Sequence, residues 1–472
     1  MKTITMKFGG TSVGSVEAIT NVVNIVKSHV NDENRVAIVI SAMSGVTDSL
    51  IKSIDMAINS DKWGYTSLSE SIKDRHEEAL NQLVQSDDER ETSFKKIVKL
   101  LEQHVELCNA VNILGEATPR IRDNFVSFGE RMSIHVVSAA LREAGIDAQA
   151  IDAGDFLMTD DTYQHAEPLW EETKSRIQRN LIPAVEKGVI PVITGFVGNT
   201  PDGIYTTLGR GGSDYSAAIF AAYLNSDEFI IWTDVDGVMT TDPRIDSRAQ
   251  VLPTVSYQEV GELAYYGAKV LHPKTVQPII SQGIPMRVRN TFNPDFEGTL
   301  ITETVEPSST IIKAVTNIRN VSMLTVSGRG MLGVPGIAGR TFLATSQAGA
   351  SILMISQSSS EQSFCFTVSQ SQAEDVKSAV ESELRAEIAR QNVDGVDILT
   401  DIVVITVVGG GMRGAPGVAG RVFNVLGENS VNVLAIAQGS SECSISFIIA
   451  ESDMRTAVMR LHDLALESVN GS

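Results

Sequence analysis

The sequence predicts an α/β fold, a mainly parallel sheet sandwiched by helices, followed by two copies of a small α+β module. Three observations carry that prediction. Short apolar, β-rich runs alternate with helical patterns over roughly the first 300 residues. A second pattern then occurs twice in the remainder, at a fixed offset of 81 residues. The aromatic composition also changes between the two parts: all three Trp and all eight Tyr precede residue 267, and only Phe follows Glu306.

In the first part, VAIVI (36–40), VIPVITGF (189–196) and FIIWTDV (229–235) read as buried strands, each followed by a turn and an amphipathic stretch. Between them Phe94, Ile97, Val98, Leu101, Val105 and Cys108 keep a 3.6-residue spacing on one helical face. Strands alternating with helices imply βαβ units whose sheet is covered on both sides. Ligands of such sheets sit on loops at the carboxyl ends of the strands. NPDFEGT (293–299) and EPSS (306–309) supply the Pro, Gly and Ser of a boundary near residue 300. Beyond it, GRGMLGVPGIAGRTF (328–342) aligns with GGGMRGAPGVAGRVF (409–423), ten of fifteen positions being identical, and ISQSSSEQSF (355–364) aligns with IAQGSSECSI (436–445). Each copy reads strand, Gly/Pro loop, helix, strand, tight turn, strand, helix. Two copies are too few for a solenoid. The expected division is 1–300, 312–392 and 399–472.

Composition narrows the function. With 43% hydrophobic and 20% charged residues and a mean hydropathy of +0.04, the chain is globular. A net charge of −20 repels nucleic acid and anionic lipid, so neither is an expected partner. Any anionic substrate must be held by local Lys, Arg and backbone amides. Cys108, Cys365 and Cys443 are odd in number and lack C-x-x-C spacing, so they read as small hydrophobes of a reducing compartment. No apolar run approaches the ~18 residues of a membrane span, and the opening MKTITMKFGG lacks the h-region of a signal peptide. A cytoplasmic location is expected.

Both repeats contain G-x-G-x-x-G, at Gly328–Gly333 and Gly409–Gly414, after a strand and before a helix. A dinucleotide site would end the next strand in an acid that grips ribose. These strands end in Gln357 and Gln438, which favours a small-ligand module. In the first part, Lys7-Phe8-Gly9-Gly10-Thr11-Ser12 is a strand, glycine turn and helix start, the geometry that aims N–H groups at an anion; an ordinary tight turn with a solvated Lys has the same letters. Gly209-Arg210-Gly211-Gly212-Ser213-Asp214 adds an amide-rich loop with an Arg, whose fork matches a carboxylate. Thr233-Asp234-Val235-Asp236-Gly237 and Thr241-Asp242-Pro243-Arg244 suit ribose, base or a hydrated metal, and equally suit turns. Lysine, arginine and amides around glycine turns suggest phosphoryl transfer, which depends on positioning and charge neutralisation.

KFGGTSVGS, SAMSGVTD (41–48), SFGER (127–131), TTLGRGGSD, TDVDGV, TDPR and GAKVLHP, in that order, resemble the aspartate kinases of the amino-acid kinase superfamily, and the duplicated modules resemble their tandem ferredoxin-like ACT domains. The chain ends after the second repeat, which resembles monofunctional members without a fused homoserine dehydrogenase. The resemblance implies ATP-dependent phosphorylation of the L-aspartate side chain, the first step towards lysine, threonine, methionine and isoleucine. It implies that Lys7 stabilises the transferring phosphoryl group and Asp214 positions that lysine. Ser41, Thr47, Glu130, Phe196, Arg210 and Ser213 match the aspartate pocket. Lys7, Gly9, Gly10, Thr233, Asp234, Met239, Arg244, Lys269 and Val270 match nucleotide-binding positions, Met239 standing where relatives often have Tyr. Magnesium is expected with ATP, with no protein ligand identified. Ile355, Gln357, Ile436 and Gln438 match effector positions of threonine-sensitive members, with lysine as the alternative effector. The ACT pair implies a homodimer or homotetramer. A kinase for glutamate or acetylglutamate, and a catalytically silent amino-acid sensor, are the competing readings.

Overall fold

The computed structural model describes every residue except 268–270, 272, 304–310, 358–361, 440 and 468–472. The chain divides into two compact units. The first comprises Met1–Val238, Pro253–Tyr257 and Val270–Glu303, and the second comprises Met239–Leu252, Gln258–Lys269 and Thr304–Ser472.

In the first unit, a sheet follows the order β3 (Ala148–Ile151), β4 (Ile190–Thr194), β2 (Arg35–Ile40), β1 (Thr3–Phe8), β7 (Glu228–Thr233), β9 (Met286–Asn290), β10 (Thr299–Thr302) and β8 (Thr254–Ser256). Its pairs are parallel except β9 with β10. The expected strands are there, and β2 and β4 are buried along nearly their whole length, as a sheet covered on both faces requires. A short hairpin of β5 (Val197–Asn199) and β6 (Tyr205–Thr207) stands apart from the main sheet.

The helices α1 (Val16–Asn31), α2 (Val46–Ile58), α3 (Lys62–Leu83), α4 (Asp87–Leu114) and α5 (Pro119–Glu143) fill the chain between β1 and β3. The expected face of α4 is confirmed at Ile97, Leu101 and Cys108, which are buried, while Phe94, Val98 and Val105 are half-buried. Helix α5 is the most enclosed, with both Phe125 and Phe128 fully covered. Then come α6 (Trp170–Arg176), α7 (Ile182–Glu186), α8 (Gly212–Tyr223), α9 (Tyr257–Tyr265, which passes into the second unit after its first residue) and α10 (Pro273–Ile280).

The second unit has an antiparallel sheet in the order β12 (Met354–Gln357), β13 (Ser363–Ser369), β11 (Ala314–Ser327), β14 (Gly395–Val408), β16 (Ser444–Ala450) and β15 (Ala435–Gln438). Helices α11 (Ile337–Gln347), α12 (Ala373–Glu383), α13 (Arg385–Ala389), α14 (Val418–Glu428) and α15 (Met454–Glu467) complete the two copies. The two long strands are shared. The second half of β11 pairs with β13 and with the start of β14, while Ala314–Ile318 pair with Val404–Val408 beside β16. Ile312 and Val315, inside the range expected for the first copy, therefore lie in the hydrophobic core of the second.

The stretches 239–252 and 258–269, inside the range expected for the first domain, are held within the second unit. Val315 N–H donates to the Thr240 carbonyl at 2.8 Å. Buried His462 on α15 bridges Thr240 Oγ1 at 2.8 Å and Asp246 Oδ2 at 2.9 Å. On α9, the Glu259 carboxylate accepts from Lys313 Nζ at 2.9 Å and from Gly410 N–H at 2.6 Å. Glu262 accepts from Ser441 and Ser444.

The glycines of the G-x-G-x-x-G stretches are explained here. A Cβ on Gly328 would lie 2.2 Å from the Asn392 carbonyl oxygen, and one on Gly409 would lie 2.2 Å from that of Ile311. The first glycine of each copy thus admits the backbone leading into the shared strand, rather than a ligand.

Candidate active site

Lys7 is the penultimate residue of β1, and Gly9 and Gly10 follow the strand in a turn whose Gly9 N–H donates to the Trp232 carbonyl at 3.2 Å. Ser41 follows β2 and leads into α2 through the turn 41–45, where Ser44 N–H donates to Gly10 O at 3.1 Å. Gly195 and Phe196 follow β4; Phe196 takes a left-handed φ of 70°, with its N–H donating to Ser216 Oγ at 3.1 Å. The carboxyl ends of three adjacent parallel strands, β4, β2 and β1, therefore lie side by side, where their loops meet.

The loops, with α5 and the start of α8, enclose a cleft of about 1000 Å³. Lys7, Gly10, Ser41, Thr47, Glu130, Phe196, Arg210, Ser213 and Asp214 all line it. The sequence-predicted aspartate pocket and catalytic pair are thus brought together. Lys7 Nζ lies 2.5 Å from Asp214 Oδ1. Glu130 is 4% exposed, and burial pushes its carboxyl up to about 8, partly opposed by backbone N–H groups and by Lys7.

The two helix ends at the cleft differ from those of α1, α3, α4 and α5. Ser15, Asp61, Ser86 and Thr118 cap α1, α3, α4 and α5 with side-chain oxygens that accept backbone N–H groups. The two helices that start at the cleft, α2 and α8, are capped instead by Gly45 and Gly211, both left-handed, at φ 82° and 73°, and without any side-chain cap. Uncapped first-turn N–H groups and the positive end of the helix dipole favour an anion. With Lys7 and Arg210, the cleft offers four separate sources of positive potential in a strongly acidic chain.

Several contributors escape a reading of the sequence. Asp123 on α5 is 1% exposed and accepts from Gln164 N–H at 2.8 Å, Thr207 N–H at 3.0 Å and Thr207 Oγ1 at 2.8 Å. It pins the 164–165 loop and β6 to the cleft wall, to which Gln164 and His165 also belong. A lone acid in a helix gives no motif from which this could be read. Gly209 does carry a signal, its φ being 76° with His165 against its α-carbon, so that a Cβ would lie 2.6 Å from His165 Nδ1.

The predicted nucleotide positions fall in both units. Thr233 ends β7, and its Oγ1 donates to Asp234 at 3.2 Å. The following loop is fixed by Asp236, which accepts from Asn290 at 2.8 Å and Asn293 at 3.1 Å. Met239 and Arg244 belong to the second unit, where Met239 bridges to Val251 and the Arg244 guanidinium forks onto Asp242. Lys269 and Val270 lie outside the described residues. Among the described residues no cluster of three or more His, Cys, Asp or Glu side chains could hold a metal, and no helix is long and apolar enough to cross a membrane.

In the second unit, Gln357 lines a cavity of about 280 Å³ with Met331, the 333–338 glycine loop and Phe364. Ile355 and Ile436 are exposed, at 44% and 45%. The strands carrying them approach each other, with Ser356 Oγ donating to the Ile436 carbonyl at 2.9 Å. Gln438 is exposed at the end of β15.

The amino acid kinase family model matches residues 2–290, and an ACT domain model matches 324–384 and 405–464. The chain is 36% identical over 462 residues to the chloroplastic bifunctional aspartokinase/homoserine dehydrogenase 1 of Arabidopsis thaliana, covering 97% of this chain and 50% of that protein. It spans about half the length of such bifunctional relatives. It is 33% identical over 481 residues to the chloroplastic aspartokinase 1 of the same plant, covering 99% and 80%. The structure of E. coli aspartokinase III with aspartate and ADP (R-state) matches with a TM-score of 0.82 at 29% identity, over 98% of this chain and 100% of that one. The same enzyme with lysine and aspartate (T-state) gives 0.79 at 30%, over 98% and 99%.

Proposed function

The chain belongs to the aspartokinases of the amino acid kinase family, and from that premise we propose that it transfers the γ-phosphoryl group of ATP to the side-chain carboxylate of L-aspartate. The products are 4-phospho-L-aspartate and ADP. The observation that carries this reading is the convergence of two glycine-capped helix N-termini, Lys7 and Arg210 on a cleft that also holds the buried acid Glu130.

The acceptor needs no general base, because a carboxylate with an ordinary pKa of ~4 is already ionised at neutral pH. An oxygen of that carboxylate bonds to the γ-phosphorus as the bridge to the β-phosphate breaks. The protein's work is then to align the two anions and neutralise their charge. Arg210 suits the α-carboxylate and Glu130 the α-ammonium, while Ser41, Thr47, Phe196 and Ser213 shape the pocket between them. Lys7, held by Asp214, faces the phosphoryl group as charge develops on it. Gly9, Gly10, Thr233, Asp234, Met239, Arg244, Lys269 and Val270 are assigned to the nucleotide. Magnesium that accompanies ATP supplies further charge neutralisation.

The ACT pair is assigned to feedback control, with threonine as the effector at Ile355, Gln357, Ile436 and Gln438. A glutamine amide both donates to and accepts from a hydroxyl amino acid, and the cavity beside Gln357 has the size for a small ligand. Lysine is the second reading, because a matching structure carries it. The effector acts by binding one arrangement of the protein better than another. A homodimer or homotetramer in the cytoplasm, serving lysine, threonine, methionine and isoleucine synthesis, completes the proposal.

The test is ATP turnover with L-aspartate, trapping the acyl phosphate as its hydroxamate, with threonine or lysine in parallel wells. Hydroxamate that depends on aspartate and falls with threonine is expected. Hydroxamate with glutamate or acetylglutamate alone would overturn the substrate, and inhibition by lysine alone would overturn the effector.

A further inference from the structure

Arg75 lies on α3, outside the cleft lining, and is half-buried. Its guanidinium donates from Nη1 to the Ser44 carbonyl at 2.5 Å and from Nη2 to the Gly14 carbonyl at 2.7 Å. Ser44 immediately precedes Gly45, the N-cap of α2, and Gly14 immediately precedes Ser15, the N-cap of α1. One planar cation therefore grips the chain just before two helices begin. The two turns already lie backbone to backbone. Ser44 N–H donates to Gly10 O at 3.1 Å, and a Cβ on Gly14 would stand 3.0 Å from Gly10 O and 3.1 Å from Ser44 Cβ. One turn carries Gly10, and the other leads from Ser41 to Thr47 and the uncapped start of α2.

We propose that Arg75 is a positioning residue for phosphoryl transfer, fixing the 9–14 turn against the 41–45 turn so that Lys7, Gly10 and the α2 N-terminus address one ligand in a single register. The role rests on the kinase reading above. Only a fork of fixed geometry sets the spacing of two carbonyls; a lysine ammonium reaches as a point charge. Attachment of α3 to the rest of the unit does not depend on the guanidinium, because Ile72, Ala79 and Leu80 on the same helix are buried in the main core.

The test uses the full chain. Arg75→Met should fold, with kcat reduced roughly 10–100-fold, the range for a misplacement near 1 Å, and KM for aspartate changed less than about threefold, since the pocket groups remain. Hydrogen exchange should quicken at 10–14 and 43–47, and Arg75→Lys should fall between. Added guanidinium ion should restore turnover to Arg75→Ala. A folded Arg75→Met with wild-type kcat and wild-type exchange at both turns overturns the proposal. If the methionine variant does not fold, wild-type kcat in Arg75→Lys overturns it equally. If the wild-type protein shows no turnover with aspartate, the kinase reading has failed, and the exchange measurement alone decides whether Arg75 ties the turns.

Discussion

The Lys7 ammonium lies 2.5 Å from the Asp214 carboxylate, the lysine near the end of β1 and the aspartate in the first turn of α8. Both side chains are largely shielded, at 11% and 17% exposure, so neither swings freely into solvent. The helix N-terminus stabilises the carboxylate, and the carboxylate fixes the lysine.

Lys7→Met should therefore lower kcat on the order of 10²–10³-fold, the scale for losing one preorganised charge donor. Asp214→Asn keeps the lysine charge and loosens its position, so a smaller fall is expected. Steady-state kinetics on both variants checks the order. Equal losses would show that the aspartate does more than hold the lysine.

Glu130 gives a pH prediction with a definite sign. Burial pushes its carboxyl up to about 8 in the folded protein, from an ordinary 4.5 in the unfolded chain. Between those values the folded state holds the extra proton, so stability falls as pH rises through this window. Glu130→Gln should raise the Tm above pH 8 and leave it unchanged below pH 4. If Glu130 pairs with the substrate ammonium, aspartate binding at pH 7 should release close to one proton, and affinity should strengthen up to about pH 8. Calorimetry in two buffers of different ionisation enthalpy reads the proton directly.

At Gly129, in the middle of α5, two effects oppose each other. Alanine is the better helix former by about 1 kcal/mol. Its Cβ, however, would stand 2.8 Å from Ala42 Cβ and 3.7 Å from Thr47 Oγ1. Overpacking of that kind costs about 1–3 kcal/mol, so the clash wins. Gly129→Ala should lower the Tm and raise KM for aspartate, because relief of the clash displaces the 41–47 loop. An unchanged KM would show that the loop yields without disturbing the pocket.

The strands that build the cleft were legible because burial on both faces leaves an uninterrupted apolar run, as in β2 and β4. The repeat was legible because both copies must keep glycine where backbone approaches backbone, at Gly328 and Gly409. Much of the cleft lining could be named because its residues cluster in short segments. Arg75 and Asp123 could not be named, since each is a single polar residue whose partners are backbone groups or residues distant in sequence. The sharing of β11 and β14 was hidden for a related reason. Either half of a long apolar strand pairs equally well by pattern, and only the core around Ile312 and Val315 shows which copy claims it.

The chain leaves the first unit at Met239, returns at Pro253, leaves again at Gln258 and returns at Val270. The two units are therefore not beads on a string that recombination can trade at a single junction. A chimera spliced after Glu303 would pair a foreign ACT module with the native Thr240, Asp246, Glu259 and Glu262. The carboxylate of Glu259 would meet whatever replaced Lys313 and the amide of Gly410, and His462 would be missing from between Thr240 and Asp246. Grafts between relatives should succeed only when these two stretches travel with the ACT pair, which makes three separate pieces of chain one unit of inheritance.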